Sequence, residues 1–273
     1  MRNIFSYKDF VKENQNIQGQ IQSQVQPMVQ QPIQIEQTQV QQPIQNQNAP
    51  NLSKFANMID FTYIREDATK DNLDEIIELT KSNNFYSIVV NPDLVDYLAY
   101  ELEGTEIKTV STLDYPDGES NTSDKISIAI ETISNGADEI NMVMYYKGVK
   151  DAYVEDDEET KKSLLDSVEN DIREIANECH KNGVILKVII ESGLLTLEET
   201  VIACQLATNA GADYIQTSTG TKEVGAELKK VKEMRRVLPD HVKICVAGGV
   251  RTLEQCNMYY PYVDRIATSV IPK

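Results

Sequence analysis

Residues 136–144, Gly-Ala-Asp-Glu-Ile-Asn-Met-Val-Met, and residues 211–220, Gly-Ala-Asp-Tyr-Ile-Gln-Thr-Ser-Thr-Gly, are two versions of one unit. In each, a glycine ends a helical pattern and an aspartate opens a short apolar run. Glycine suits the left-handed conformation that commonly closes a helix, and a run of four to six apolar residues after it suits a buried strand. Outward from these two copies the same alternation repeats. Strands are expected at Met58–Thr62, Phe85–Val90, Ile107–Leu113, Glu139–Met144, Val184–Glu191, Tyr214–Thr217, Val242–Val246 and Arg265–Ala267. Helical patterns lie between them, such as Asp71–Ser82 and Leu164–Cys179. Thr69 precedes the first of these, and Thr196-Leu197-Glu198-Glu199 has the form of a capping box. Eight strands with intervening helices in some 220 residues predict an α/β fold of the (β/α)8 TIM-barrel type. A doubly wound sheet is the alternative, with its site at a strand-order switch. The chain given stops at Lys273, soon after strand 8, so the closing helix is expected to be mostly missing, leaving an apolar groove for a partner or a second copy.

Composition divides the 273 residues into three pieces. Residues 1–14 pattern as a short amphipathic peptide with Ile4, Phe5 and Val11 on one side. Residues 15–52 form a linker; its stretch 15–50 holds 15 Gln, four Pro and one charge, Glu36, too little apolar surface to offset ordering entropy, so disorder is expected. This head and linker read either as a docking peptide on a tether, for a protein partner, or as a disordered tail without a role. Residues 53–273 are the barrel.

The formal charge is −17, and because residues 1–53 hold three acids and three bases, all of it falls on the remainder. That balance argues against a nucleic-acid partner or an anionic membrane surface. No apolar run is long enough to span a bilayer and no signal-peptide core is evident, so a cytoplasmic location is preferred, with a virion or scaffold component also compatible. Cys179, Cys204, Cys245 and Cys256 lack CxxC spacing and are read as reduced thiols, without a metal site. Asp151–Lys162 reads as an acidic insertion and its charge run as a solvated loop.

The chemistry of such a barrel sits at the C-terminal ends of its strands. Strand 5 ends Ile190-Glu191-Ser192-Gly193, strand 6 ends Gln216-Thr217-Ser218-Thr219-Gly220, and strand 7 ends Ala247-Gly248-Gly249-Val250-Arg251. With Ile59-Asp60-Phe61-Thr62, Val90-Asn91-Pro92 and Glu139-Ile140-Asn141-Met142, this series resembles the deoxyribose-phosphate aldolase family from about Phe55 to Ser269. The resemblance implies a barrel that needs no metal or other cofactor and joins acetaldehyde to glyceraldehyde 3-phosphate reversibly. It also implies a Schiff-base lysine on strand 6, a second lysine on strand 7 and an aspartate on strand 4. Here those positions are Gln216, Cys245 and Asn141. An imine needs a nucleophilic amine, and a carboxamide nitrogen delocalised into its carbonyl cannot supply one. The three changes together imply a pseudoenzyme with an interaction or structural role.

The phosphate end resembles the family more closely. The matching positions are Gly220, Thr221, Gly248, Gly249, Thr268 and Ser269, residue types that suit backbone amides and helix N-termini around an anion and that also suit ordinary turns. Lys222 is a further cation there or a solvated surface lysine. Asp114 and Asp117, in Asp-Tyr-Pro-Asp-Gly after strand 3, are expected to add two carboxylates near the anion site. Two lysines are candidate substitutes for the lost amine. Lys187 shares a strand face with Glu191, or forms a buried pair with Glu191 or Asp60; Lys243 points the same way as Cys245, or reaches solvent at the lower rim. Activity through either would make the chain an active aldolase or related aldehyde-lyase; retained phosphate binding alone would make it a non-catalytic binder of a sugar phosphate. His180 is read as a helix-surface residue and His241 as a strand-start residue.

Overall fold

The computed structural model describes residues 51–65 and 67–273. The expectations for residues 1–14 and for the linker up to Pro50 lie outside the described residues. Eight parallel strands close into a barrel in chain order: β1 Ile59–Tyr63, β2 Ser87–Val90, β3 Lys108–Leu113, β4 Glu139–Val143, β5 Ile185–Ile189, β6 Tyr214–Gln216, β7 Lys243–Ala247 and β8 Arg265–Thr268. Closure is made by β8 against β1, with Ile59 opposite Ile266 and Phe61 opposite Thr268. Around the barrel run the helices α1 Lys70–Asn83, α2 Val95–Glu101, α3 Thr122–Ser134, α4 Tyr146–Val154, α5 Glu158–Lys181, α6 Leu197–Ala210, α7 Leu228–Val237 and α8 Leu253–Tyr259. One continuous apolar core fills the space between barrel and helices.

The helix starts follow their caps. The Thr69 hydroxyl accepts from Asn72 N, and the capping box expected at Thr196 is formed with Glu199. The repeated Gly-Ala-Asp turn has a function beyond ending a helix. Gly211 takes φ +101 and Gly136 φ +97. The aspartate that follows then clasps the neighbouring strand. Asp138 N donates to Thr109 O (2.8 Å), and Thr109 N donates back to Asp138 Oδ2 (2.9 Å). Asp213 makes the same reciprocal pair with Leu186, and Asp264 makes it with Ile244. A carboxylate thus supplies the acceptor that strands β3, β5 and β7 lack at their starts.

Of the acidic stretch expected as a solvated loop, residues 155–157 lie between helices at the surface, and the rest forms two helix ends. Residues 151–154 close α4, Asp157 caps α5 by accepting from Thr160 N, and Glu158 and Glu159 occupy the first turn of α5. Carboxylates at that end and His180 and Lys181 at the other complement the helix dipole, which is why a charge run is stable there as helix. After β8 no helix follows among the described residues. Residues 269–273 return to the start of α8, where Leu253 N donates to Lys273 O, and Ile271 packs on the core.

The barrel's lower interior is not apolar. Asp60 (β1), Glu139 (β4), Lys187 (β5) and Arg265 (β8) form a buried quartet of two anions and two cations. Asp60 accepts from Lys187 Nζ (2.5 Å), Arg265 (2.6 Å) and Ser87 Oγ (2.6 Å), while Glu139 accepts from Arg265 (2.6 Å). Arg265 also stacks over Tyr86, 3.4 Å from the ring centroid. Burial alone would raise the Asp60 pKa, but the charges of Lys187 and Arg265 outweigh it and hold the carboxyl below its ordinary range. A lowered folded pKa contributes stability above the unfolded value of about 3.9, and that contribution is lost as pH falls through the folded one. Removing one partner leaves a buried charge uncompensated, so Lys187→Met is expected to cost about 3–5 kcal/mol in urea unfolding at neutral pH. A loss below about 1 kcal/mol would mean the quartet is not a structural unit.

Candidate active site

At the C-terminal end of the strands a cavity of about 580 Å³ opens, within the ~300–1,000 Å³ range of small-molecule sites. Register explains which side chains reach it. Gln216 lies opposite Ile189 and Cys245, Asn141 opposite Thr112 and Lys187, and Ala247 opposite Ala267. Side chains on paired positions share a face, so these all turn inward. Asn141 and Gln216 line the cavity with Thr62, Val89, Thr112, Ile189, Ala247 and Ala267. Cys245 sits below it, fully buried, its thiol 3.7 Å from Asp60 Oδ2. Burial pushes that thiol up to about 12, so it is neutral and offers neither a charge nor a nucleophile.

Neither candidate lysine reaches the cavity. Lys187 is locked in the quartet: burial would lower its pKa, but Asp60 outweighs that and holds the ammonium above the ordinary lysine range. A protonated amine has no lone pair with which to attack a carbonyl. It pairs with Asp60 and not with Glu191, because β5 ends at Ile189 and Glu191 turns away in a left-handed conformation at φ +50. The buried pair with Asp60 was one of the expected arrangements; the shared strand face with Glu191 was another, and the early strand end overturns that one. Lys243 is opposite Tyr214, exposed at the lower rim with Nζ 5.4 Å from the Tyr214 ring centroid, so its ammonium stays in water. His180 is on the surface of α5, with Nε2 2.9 Å from Asp213 Oδ2, and His241 is exposed just before β7.

All six residues expected around an anion line this one cavity: Gly220, Thr221, Gly248, Gly249, Thr268 and Ser269. Their hydroxyls are partly used by the loops themselves. Thr268 Oγ1 donates to Val250 O (2.8 Å), and Thr221 Oγ1 shares a hydrogen bond with Thr219 Oγ1. The N–H groups of Gly220, Gly249 and Ser269, by contrast, have no acceptor among the described residues. The loops after β6 and β7 are pressed together: a Cβ on Gly225 would meet Gly248 O at 2.3 Å, and one on Gly248 would meet Gly225 Cα at 2.9 Å. Glu191 braces the β6 loop by accepting from Thr219 N (3.1 Å) and Thr219 Oγ1 (2.6 Å), and the Tyr115 hydroxyl donates to Thr219 O (3.0 Å).

The two carboxylates expected near the anion site are turned away from it. Asp114 takes φ +54 and accepts from Ser120 N and Oγ; it also pairs with the buried Lys125 (3.2 Å), which in turn holds Asp171 (2.7 Å). Asp117 pairs with Lys222 (2.7 Å), which neutralises both and keeps Lys222 out of the cavity lining as well. Among the described residues the lining contains no Asp, Glu or Lys, and its cationic side chains are Arg65 and Arg251. Sequence reasoning did not single out either arginine, although each follows a strand end, β1 or β7, where loop cations face the site. Arg65 is held by Asp67 (2.8 Å).

A closed eight-stranded parallel barrel with glycine-containing loops around a cavity at the C-terminal ends of its strands defines the TIM-barrel class. This chain belongs to the DeoC/LacD family of aldolases, whose family model matches residues 54–257. It is 38% identical over 202 residues to the deoxyribose-phosphate aldolase of Aciduliprofundum boonei, covering 74% of this chain and 86% of that one. It is 37% identical over 220 residues to the deoxyribose-phosphate aldolase of Streptococcus equi subsp. zooepidemicus, covering 80% and 93%. Among solved structures, a Coccidioides immitis protein provisionally described as a deoxyribose-phosphate aldolase matches with TM-score 0.73 and 29% identity over 95% of this chain and 93% of its own. The Aeropyrum pernix deoxyribose phosphate aldolase, described as a unique tetramer, shares the fold at TM-score 0.70 and 22% identity, covering 80% and 88%.

All four cysteines are buried and their thiols are raised, to about 11 for Cys256 and about 12 for Cys179 and Cys245. Ellman's reagent at pH 8 is therefore expected to titrate none of them in the folded protein and all four after denaturation. Fast labelling of Cys245 in the native state would refute a neutral, enclosed thiol.

Proposed function

We propose that this barrel is a non-catalytic member of its family that binds a phosphate-bearing anion in the cavity above Gln216. The observation that carries the reading is the chemistry of the lining. The lining offers unpartnered amide N–H groups, Arg251 and an Arg65 already paired with Asp67, and contains no amine and no carboxylate among the described residues. Schiff-base chemistry needs an unprotonated lysine at the reacting carbon and a carboxylate or second ammonium to move protons. Gln216, Asn141 and Cys245 provide none of these, and Lys187 is bound as an ammonium within the quartet. The anion would be held by short-range hydrogen bonds from fixed dipoles, which are strongest where water is excluded. Local donors of this kind work even on a protein of net charge −17, because charges beyond about 8–10 Å are screened at physiological salt.

Borohydride reduction in the presence of acetaldehyde or 2-deoxyribose 5-phosphate is expected to leave the protein mass unchanged. A covalent adduct on Lys187, Lys243 or Lys222 would replace this reading with an active aldolase using a relocated lysine. Calorimetry is expected to detect inorganic phosphate, and Ser269→Asp to weaken it by about tenfold or more, since a carboxylate would then face the open N–H groups. Ser269 is exposed, so the change leaves the core intact. Absence of phosphate binding by the unaltered protein would sink the proposal.

A further inference from the structure

Charge on the outside of the barrel is sorted by sector. From the start of α1 to the loop before β3, residues 70–107 hold nine carboxylates and two lysines. All of these carboxylates but Glu101 are exposed. The Tyr97 hydroxyl donates to Asp74 Oδ1 (2.6 Å) and ties α2 to α1 as one acidic surface. Tyr100, one turn further along α2, stands 73% exposed on it. Across the barrel the sign reverses. Residues 228–243, α7 and the start of β7, hold six Lys and Arg against Glu233 and Asp240. Lys229, Lys232 and Arg236 recur at helical spacing on the exposed side of α7, while Val231 and Met234 are buried on the other. Arg236 pairs with Glu233, but Lys229 and Lys232 have no carboxylate partner among the described residues. Lys232 lies over the half-buried Tyr262, with Nζ 5.3 Å from the ring centroid.

The two faces cannot neutralise each other within one chain. The helices α1 and α2 follow β1 and β2, whereas α7 follows β6, four strands from β2 in a closed ring of eight. Each chain therefore carries an acidic face and a basic face on opposite sides of the barrel. Opposed faces of opposite sign fit a second copy head to tail, and such a contact leaves one face of each sign open at the ends. Tyr100 on one face and Tyr262 beside the other add aromatic surface of the kind that interfaces favour. A long polyanion is a poorer occupant of α7, because it would extend onto the surface that supplies the net charge of −17. Repulsion between two acidic bodies is screened beyond about 8 Å at physiological salt, while ions in direct contact still attract.

We propose that copies of this chain associate head to tail, with the basic face of α7 on one against the acidic face of α1 and α2 on the next. Lys229 and Lys232 are cations open to the contact, and Glu103 and Glu106, exposed between α2 and β3, are among the carboxylates that receive them. None of these four side chains lines the cavity, so the contact is independent of the anion-binding reading.

Light scattering on the full chain, at about 0.15 M and about 1 M NaCl, tests the contact. At the lower salt the weight-average mass is expected to rise with concentration past twice that of one chain. At the higher salt it is expected to return toward the monomer, because even close ion pairs are then screened. Lys229→Glu with Lys232→Glu, and separately Glu103→Lys with Glu106→Lys, are each expected to weaken association about tenfold or more. An equimolar mixture of the two double variants is expected to restore it, since the reversed faces are complementary again. All four positions are exposed, so both variants are expected to keep the melting temperature within a few degrees. A monomer at every concentration at the lower salt, a dimer that grows no further, or association that strengthens at the higher salt would overturn the proposal. So would a lysine variant that loses association while the glutamate variant keeps it, which would place some other acidic surface on α7. The salt and concentration series on the unaltered protein decides the question even where a variant does not fold.

Discussion

The interior of this barrel is organised by four charges that cancel. Asp60, Glu139, Lys187 and Arg265 come from β1, β4, β5 and β8, and strand closure has to bring them together before any of them is neutralised. Each buried ion is expensive to desolvate, so the quartet specifies register as well as filling space: a slip of one residue would turn these side chains from the interior to the opposite face. Arg265 joins β8 to both carboxylates, and Lys187 fixes β5 against Asp60. The same network decides chemistry. It consumes Lys187 as a structural cation, and it holds Cys245 next to Asp60 as a neutral thiol.

Above that layer the polarity changes to fixed dipoles. The loops after β6, β7 and β8 carry open amide N–H groups, and the carboxylates nearest in sequence are occupied by lysines pointing elsewhere. On an acidic protein such donors still act locally, because hydrogen bonding and helix-end dipoles reach over a few ångströms while the surface charge is screened. The braces are local and specific: Glu191 on Thr219, Tyr115 on Thr219, and the contact of Gly225 with Gly248. They set the shape of the cavity mouth without placing a carboxylate in its lining among the described residues.

Much of this was legible in the sequence. All eight strands lie within a few residues of their expected positions, because a fully buried parallel strand is a short apolar run bounded by a glycine or aspartate turn. The six residues expected around an anion do line one cavity, since glycine and Ser/Thr at strand ends suit the loops at the mouth of the barrel. The acidic segment before α5 was read only in part: residues 155–157 are a surface loop, but charge composition alone does not separate such a loop from the capped helix start that follows it. The placement of Asp114 and Asp117 was also misread. Their partners, Lys125 on α3 and Lys222 after β6, are distant in sequence or unremarkable within it.

The sequence by itself determined the family, the barrel and which residue types, Asn141, Gln216 and Cys245, stand on strands β4, β6 and β7, since each of these depends on residue identity along a strand and its loop. Only the tertiary structure decided which lysines are available, where Asp60 and Glu191 direct their oxygens, and which atoms of the two carboxamides stay unpaired. Those outcomes depend on which strands lie side by side once the barrel closes. They also depend on competition between desolvation and pairing, which a linear order of residues does not contain.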